Sequence, residues 1–265
     1  MSSNTTLIPK KIHYCWFGKQ PKPQLIIDCI KSWTQFCPDF ECIEWNEDNA
    51  DLSHSFVASA YTQKKWAFVS DYVRLTALYT YGGIYLDTDM MLIDGFAPFL
   101  KHSCFFGAEE PSIISAGIIG CVKHHPLIGL LIKRYDSIQL DAFTNYNTIA
   151  IPLIITNTVK QVYGKAVLNI DKVTKLKEDL VIYPQDYFYP FPNKDKANIA
   201  NYLEYKTENT VAIHLWNASW VVYNEFDFLL KKKYLKALPI ILNRIFIKRD
   251  FNTYYFKRLY NHLKY

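Results

Sequence analysis

No apolar run in this chain is long enough to cross a bilayer. The longest candidate, residues 141–160, is interrupted by Asn145, Asn147, Asn157, four threonines and Pro152. The first residues, MSSNTTLIPKKIHYCWFG, lack the basic-then-apolar order of a secretory leader, so a cytoplasmic location is expected. Paired cysteine motifs are missing as well. Six cysteines lie at positions 15, 29, 37, 42, 104 and 121 with no C-x-x-C among them, a usage that reads as reduced core thiols rather than a disulfide framework or a thiolate metal site. There is no internal repeat and no low-complexity linker. Acidic residues are nearly absent from one region: residues 231–265 hold ten of the 30 Lys/Arg but one of the 25 Asp/Glu, a net of +9, which leaves a net of −4 on residues 1–230. An anionic surface is therefore the expected partner of this end, and a nucleic-acid partner is not expected.

What is present is a globular composition, half hydrophobic and 21% charged, in 265 residues, enough for one large α/β domain or two small ones. The first segment, 11–17 (KIHYCWF), is β-branched and aromatic and reads as a strand. After Pro21 and Pro23 a helix is expected over 24–36, with Leu25, Cys29, Ile30 and Trp33 at helical spacing, followed by a strand over 40–45. Strand, helix and strand within so few residues make a βαβ unit and favour a parallel sheet. The longest helix is expected over 64–81, closed by Gly82-Gly83. A strand over 84–93 follows, with further strands over 103–108, 113–121 and 210–216. Helices are expected over 126–138 and 147–163, and in pieces after Phe228. Two regions result: a body over 1–230, and a basic, aromatic helical extension over 231–265.

Four groups of residues carry chemistry. Asp87-Thr88-Asp89 is a D-x-D motif; sixteen aspartates predict about one such match by chance, so its setting matters more than its occurrence. It follows the apolar run Ile84-Tyr85-Leu86, and a strand would turn both carboxylates to one side. Two adjacent carboxylates near a core repel unless a cation joins them, and hard oxygen ligands suit Mg²⁺ or Mn²⁺. Ser70, Asp71 and Arg74 share one helix face. They read either as a buried ion pair or as a grip on sugar hydroxyls and phosphate. His214 ends the apolar run Val211-Ala212-Ile213; it is a satisfied histidine, or a metal ligand if that strand end lies beside Asp89. Trp16, at the end of the first strand, is either core or a platform for a nucleobase.

In this order, IPKKIHYCWFG, FVSDYVRLTALYTYGGIYLDTDMML and HLWNASW resemble glycosyltransferase family 32, the capsular-polysaccharide and α-1,6-mannosyltransferase-like sugar transferases. The middle segment is also similar to the glucosylating domain of the large clostridial toxins. The S-D-x-x-R…Y-G-G-x-Y-x-D-x-D string is far more specific than D-x-D alone, and the likeness spans roughly residues 8–220.

The resemblance implies a GT-A fold: α/β, with a Rossmann-like, mostly parallel central sheet flanked by helices. It implies a retaining, metal-dependent transfer of a hexose from a nucleotide sugar. UDP-galactose, UDP-glucose or UDP-GlcNAc is preferred and GDP-mannose comes second. The acceptor would be a glycan, expected to be lipid-linked in capsule or O-antigen synthesis. By position, Trp16 would stack on the donor base, and Ser70, Asp71 and Arg74 would hold sugar and phosphate. Tyr85 and Asp87 would lie near the ribose, Asp87, Asp89 and His214 would hold Mn²⁺ or Mg²⁺, and Ser219 and Trp220 would close over the diphosphate. Ser115-Ala116-Gly117 stands where the family pattern leads one to expect an Asn that reads the donor sugar. Glu109-Glu110 is either an acceptor contact or a solvated pair. Two other functions fit the same residues: a metal-dependent nucleotide-sugar phosphohydrolase, and a non-catalytic carbohydrate or membrane-surface binding protein. The basic extension is expected either to pack on the body or to hold the chain peripherally on the inner membrane face.

Overall fold

A computed structural model gives the fold. It describes residues 7–140, 144, 146–164, 169–177, 180–217, 225–230, 232–249 and 251–263. The chain forms two compact units, Met1–Asn217 and Ala218–Tyr265.

The first unit opens with the expected βαβ unit. Strand β1 (Lys11–Cys15), helix α1 (Gln24–Phe36) and strand β2 (Glu41–Trp45) place β1 parallel to β2, with Lys11 opposite Glu41 and Cys15 opposite Trp45. Helices α2 (Ser55–Thr62) and α3 (Trp66–Tyr81) follow. Sequence periodicity missed α2, which is only eight residues long. The α3 helix stops at Gly82 and Gly83, where φ is 64° and 110°. A side chain at Gly82 would lie 2.8 Å from the Lys123 nitrogen, and one at Gly83 2.8 Å from the Lys11 carbonyl. Only glycine accepts both the backbone angles and the crowding, and the turn feeds α3 directly into strand β3 (Gly83–Leu86).

The expected strand over 84–93 is two strands. β3 lies parallel to β1 in the main sheet, whereas β4 (Met90–Leu92) leaves that sheet and pairs antiparallel with β9 (Ala212–His214). Asp87-Thr88-Asp89 is the turn between them. The Asp87 N–H donates to the Gly117 carbonyl (2.8 Å), and the Met90 N–H folds back to the Asp87 carbonyl (3.0 Å). Helix α1 fixes β4 in turn: the Trp33 indole donates to the Met90 carbonyl (2.7 Å) and the Leu92 N–H to the Ser32 hydroxyl (2.9 Å).

Strands β5 (Cys104–Glu110) and β6 (Ile113–Cys121), helix α4 (Pro126–Asp136), helix α5 (Ile151–Tyr163), strands β7 (Thr174–Lys175) and β8 (Leu180–Tyr183) and helix α6 (Gln185–Phe188) complete the main sheet and its cover. The helix expected over 147–163 begins instead at Ile151, after a 3-10 turn, with Pro152 in its first turn where a missing N–H costs nothing. The sheet order is β2-β1-β3-β6-β5-β8-β7; five strands run one way, and β6 and β7 run the other. Alternate residues feed two apolar layers. Ile12, Ile84, Leu86, Phe105, Ile118 and Val181 pack with Trp33, Phe96 and Phe188 on one face. Tyr85, Phe106, Ile119 and Ile182 pack with Phe56, Leu75, Leu78, Leu131 and Ile155 on the other. This is the expected α/β class: a Rossmann-like sheet, most of its strands in one direction, flanked by helices. The six cysteines are all free thiols, five of them buried.

The second unit is helical: α7 (Glu225–Leu230), α8 (Tyr234–Leu242) continued by a wider π-type turn over Asn243–Lys248, and α9 (Thr253–Leu263). The α7 helix packs against α8 and α9, so it groups with the extension rather than with the body, and the units divide ahead of the expected 230/231 boundary. Phe226, Leu229, Ala237 and Tyr255 form its core. The fully buried Glu225 carboxylate pairs with Arg244 at 3.1 Å.

Candidate active site

The site is built where α3, the turn after β3, the middle of β6 and the end of β9 meet. Helical spacing sends Asp71 and Arg74 inward from α3, and both are buried. The Arg74 guanidinium is shared. One nitrogen sits 3.0 Å from Asp71 Oδ1; another sits 3.2 Å from Asp87 Oδ1 and donates to the Ala116 carbonyl at 2.8 Å. Its Nε–H reaches the Ser70 carbonyl at 3.3 Å, and its plane lies 4.4 Å from the Tyr85 ring centre. The Tyr85 hydroxyl donates to Asp87 Oδ1 at 3.2 Å, and the Tyr135 hydroxyl faces Asp71 at 3.5 Å. The ion-pair reading of Asp71 and Arg74 is therefore true, and so is the placement of that pair beside the D-x-D turn.

On the other side of Asp87, pairing of β4 with β9 sets Met90 opposite His214. His214 Nε2 lies 3.2 Å from Asp89 Oδ1 and 3.8 Å from Asp87 Oδ2. Asp89 is held by its other oxygen, which accepts the Asn217 N–H at 2.7 Å, while its carbonyl accepts the Leu215 N–H at 3.0 Å. Asp87, Asp89 and His214 each offer one ligand atom, and these atoms lie within 4.8 Å of one another. Two carboxylate oxygens and an imidazole nitrogen converging at that spacing fit a divalent cation of the Mg²⁺ or Mn²⁺ kind. The carboxylates meet because of the turn, not because they alternate along a strand, and this corrects the strand argument.

Charges follow the packing. Burial pushes the Asp71 carboxyl up, to about 7, against the pull of Arg74. Burial also works against the ionised Asp87, but Arg74 and His214 outweigh it and hold that carboxyl below the usual range. For His214, burial favours the neutral ring, yet Asp89 and Asp87 raise its pKa to about 10. A cation bound between these three groups must displace the imidazole proton.

Three further residues complete the site: Gly117 and Trp216 fall within Ser115-Ala116-Gly117 and HLWNASW, where neither was given a role, and Tyr189 falls in no motif. Gly117 lies on β6 with nothing but hydrogen at the centre of the cluster: a Cβ there would sit 2.9 Å from the Tyr189 hydroxyl, 3.1 Å from Asp87 Oδ2 and 3.3 Å from His214 Cδ2. Tyr189, delivered by α6, is fully buried, with its ring 5.6 Å from His214; its hydroxyl lies near Ser115 without a hydrogen bond of good geometry. Trp216 packs edge-on to His214 at 4.2 Å and is anchored by its indole N–H to the Phe191 carbonyl at 2.7 Å. Its positive φ of 52° was the one sign of a special position, and it is visible only in the structure. Where an Asn was expected, Ala116 and Gly117 contribute carbonyl oxygens instead, one to Arg74 and one to the Asp87 N–H.

Glu109 and Glu110 are not a pair: Glu110 is exposed, while Glu109 is partly buried, and desolvation raises its pKa. Trp16 is half-buried at the end of β1 and belongs to neither apolar layer. Its indole N–H donates to the Gln20 carbonyl (2.6 Å), and the Lys22 ammonium lies 5.5 Å from its ring. Ser70 stands beside Arg74 through its backbone. Ser219 and Trp220 lie outside the described residues.

Residues 23–106 match the family described as "Glycosyltransferase sugar-binding region containing DXD motif". That stretch contains Ser70, Asp71, Arg74, Asp87 and Asp89. Inositol phosphoceramide mannosyltransferase 3 of Schizosaccharomyces pombe is 28% identical over 156 residues, covering 56% of this chain and 43% of the relative. Mannosyl phosphorylinositol ceramide synthase CSH1 of Saccharomyces cerevisiae is 27% identical over 166 residues, 58% of this chain and 43% of the relative. Alpha-1,4-N-acetylglucosaminyltransferase of Homo sapiens is 35% identical over 83 residues, 31% of this chain and 23% of the relative. The chain thus spans less than half the length of these curated relatives. Among solved structures, PaToxG Glycosyltransferase aligns with a TM-score of 0.43 at 18% identity, covering 58% of this chain and 68% of its own. A glycosyltransferase involved in the glycosylation of the major capsid of PBCV-1 aligns with a TM-score of 0.42 at 10% identity, covering 79% and 95%.

Proposed function

We propose that this chain transfers a hexose from a nucleoside-diphosphate sugar to a glycan acceptor, with retention of anomeric configuration. The observation that carries this reading is the convergence of Asp87, Asp89 and His214, from two distant parts of the sequence, beside an arginine that is already fixed. Asp87, Asp89 and His214 would hold Mn²⁺ or Mg²⁺; when bound, the cation supplies positive charge to the diphosphate leaving group. The residues of the chain do the rest. Arg74, preset by Asp71, Asp87 and the Ala116 carbonyl, presents a charge that need not reorganise as negative charge grows on the departing phosphate. Asp71 orients Arg74 and accepts sugar hydroxyls. Tyr189 packs its hydroxyl against Gly117 and walls the site beside His214. Trp16 offers a ring face to the base.

Asp71, Asp87 and Asp89 are each engaged by Arg74, Tyr85, His214 or a backbone N–H, so none is a free nucleophile. Same-face attack follows: the bond from the anomeric carbon to the phosphate oxygen breaks, the acceptor oxygen bonds to that carbon from the same side, and the acceptor proton passes to the leaving phosphate oxygen. The two yeast relatives, by name, support a mannosyl donor and a ceramide-borne acceptor; the uridine donors implied by the family resemblance are the second arm of the same test.

That test is a panel of GDP-mannose, UDP-glucose, UDP-galactose and UDP-GlcNAc with Mn²⁺, with and without chelator, followed by product analysis. One donor should bind and be turned over only with metal. Free sugar as the main product while an acceptor is present and ignored would favour a phosphohydrolase. Donor binding indifferent to chelator would favour a non-catalytic binding module, and no binding of any donor would end the transferase reading.

A further inference from the structure

We propose that the Ala218–Tyr265 unit docks on an anionic bilayer surface through an outward apolar ridge on α8. The sequence shows apolar residues along this helix at several phases, and the fold sorts them. Ala237 is fully buried, and Ile241 and Ile245 pack with it against the core of the unit. Leu235, Leu238, Leu242 and Phe246, spaced at intervals of three, four and four, point the other way and are 89%, 51%, 44% and 70% exposed. Ile247 adds a further 76%. A helix with one face in a core and the other in water carries polar residues on the outer face. Here the outer face carries an apolar ridge beside Lys236 and Asn243, which marks a surface that something covers.

The charge pattern names the cover. Lys232, Lys233 and Lys236 are exposed at the start of the ridge and Arg249 at its end. The segment they belong to carries ten bases and one acid. Two copies of so basic a segment repel, which argues against self-association. Anionic headgroups attract it, and a ridge of leucine and phenylalanine flanked by lysine is suited to lie in the boundary between headgroups and acyl chains. Among the described residues no helix is long and apolar enough to cross a membrane, so the mode is surface docking.

The test uses the full chain without donor, so it stands or falls independently of the transferase reading. The protein is sedimented with vesicles of phosphatidylcholine alone or mixed with phosphatidylglycerol, at low and high salt (about 0.05 and 0.5 M). Binding is expected to the anionic vesicles at low salt, weakening by about tenfold or more at high salt or on neutral lipid. The L238D/F246D variant and, separately, K232E/K236E should each weaken binding about tenfold or more with an unchanged circular dichroism spectrum. Indifference of the full chain to anionic vesicles at low salt overturns the proposal, as does binding that neither variant weakens. Sedimentation velocity supplies the remaining check: a wild-type dimer that L238D/F246D splits makes the ridge a self-interface. A marked loss of melting temperature in that variant makes it a packed face. Either result also overturns the proposal.

Discussion

In the Met1–Asn217 unit, Asp71, Arg74, Asp89 and His214 are buried, while in the Ala218–Tyr265 unit Leu235, Phe246 and Ile247 face water. Each arrangement is unfavourable by itself. A charge taken out of water is costly unless partners surround it, and large apolar side chains in water are an unsatisfied surface. The two units answer differently. The first supplies the partners internally: Arg74 has two carboxylates and two carbonyls, and Asp89 has a histidine and a backbone N–H. The second leaves its ridge open. A network closed on itself holds a geometry ready for a reaction, whereas an open ridge awaits a partner. Substitutions in the first should therefore be felt in stability and chemistry alike, and outer-ridge substitutions in the second should be felt in neither.

The largest expected effect is at Arg74. Arg74→Met strips the shared partner from two carboxylates and should lower stability by about 3–5 kcal/mol in urea unfolding. A loss under 1 kcal/mol would mean that the network is not a closed one and would remove the contrast between the units. Asp89→Asn keeps shape and loses charge. It should cut turnover by on the order of 10²–10³ at saturating Mn²⁺ while the fold stays intact, and near-normal turnover would displace the metal assignment. Gly117→Ala is a finer probe, since its Cβ would crowd the Tyr189 hydroxyl, Asp87 and His214 together. About 1–3 kcal/mol of strain is expected, read as a lower melting temperature together with a higher Mn²⁺ requirement. If Trp16 stacks on the base, Trp16→Ala should weaken donor binding by about 1–3 kcal/mol, with little change in melting temperature because the residue lies outside both apolar layers. A fall in melting temperature with unchanged donor affinity would make it a packing residue. Smallest of all, Leu238→Ser on the outer ridge should alter stability by no more than about 0.5 kcal/mol and leave donor turnover untouched.

Much of this was legible before folding, for reasons that are local. The βαβ start follows from KIHYCWF, two prolines and a helical stripe. The Gly82-Gly83 stop follows from the left-handed angles that glycine alone accepts easily. Asp71 and Arg74 share a face because they sit three apart on a helix, and the excess charge of 231–265 is simple counting. None of these needs a distant residue.

What the tertiary structure alone decided is everything that depends on two separated segments meeting. D-x-D spacing brought two carboxylates close, but the strand that seemed to align them ends after Asp87, where the Met90 N–H turns back to the Asp87 carbonyl and Met90–Leu92 pairs with Ala212–His214 in a second sheet. His214 became a partner of Asp89 only when β9 paired with β4, a register that no local pattern encodes. Tyr189 has no motif at all, and Ser115-Ala116-Gly117 gave no sign of what Gly117 does; their place comes from how α6 and β6 pack. The tail makes the same point in reverse. Its helical period offered apolar residues at several phases, and period alone cannot say which of them face a core. Packing against Phe226, Leu229 and Tyr255 drew Ala237, Ile241 and Ile245 inward and left Leu235, Leu238, Leu242 and Phe246 outside, because a helix can turn only one side of itself toward a given core.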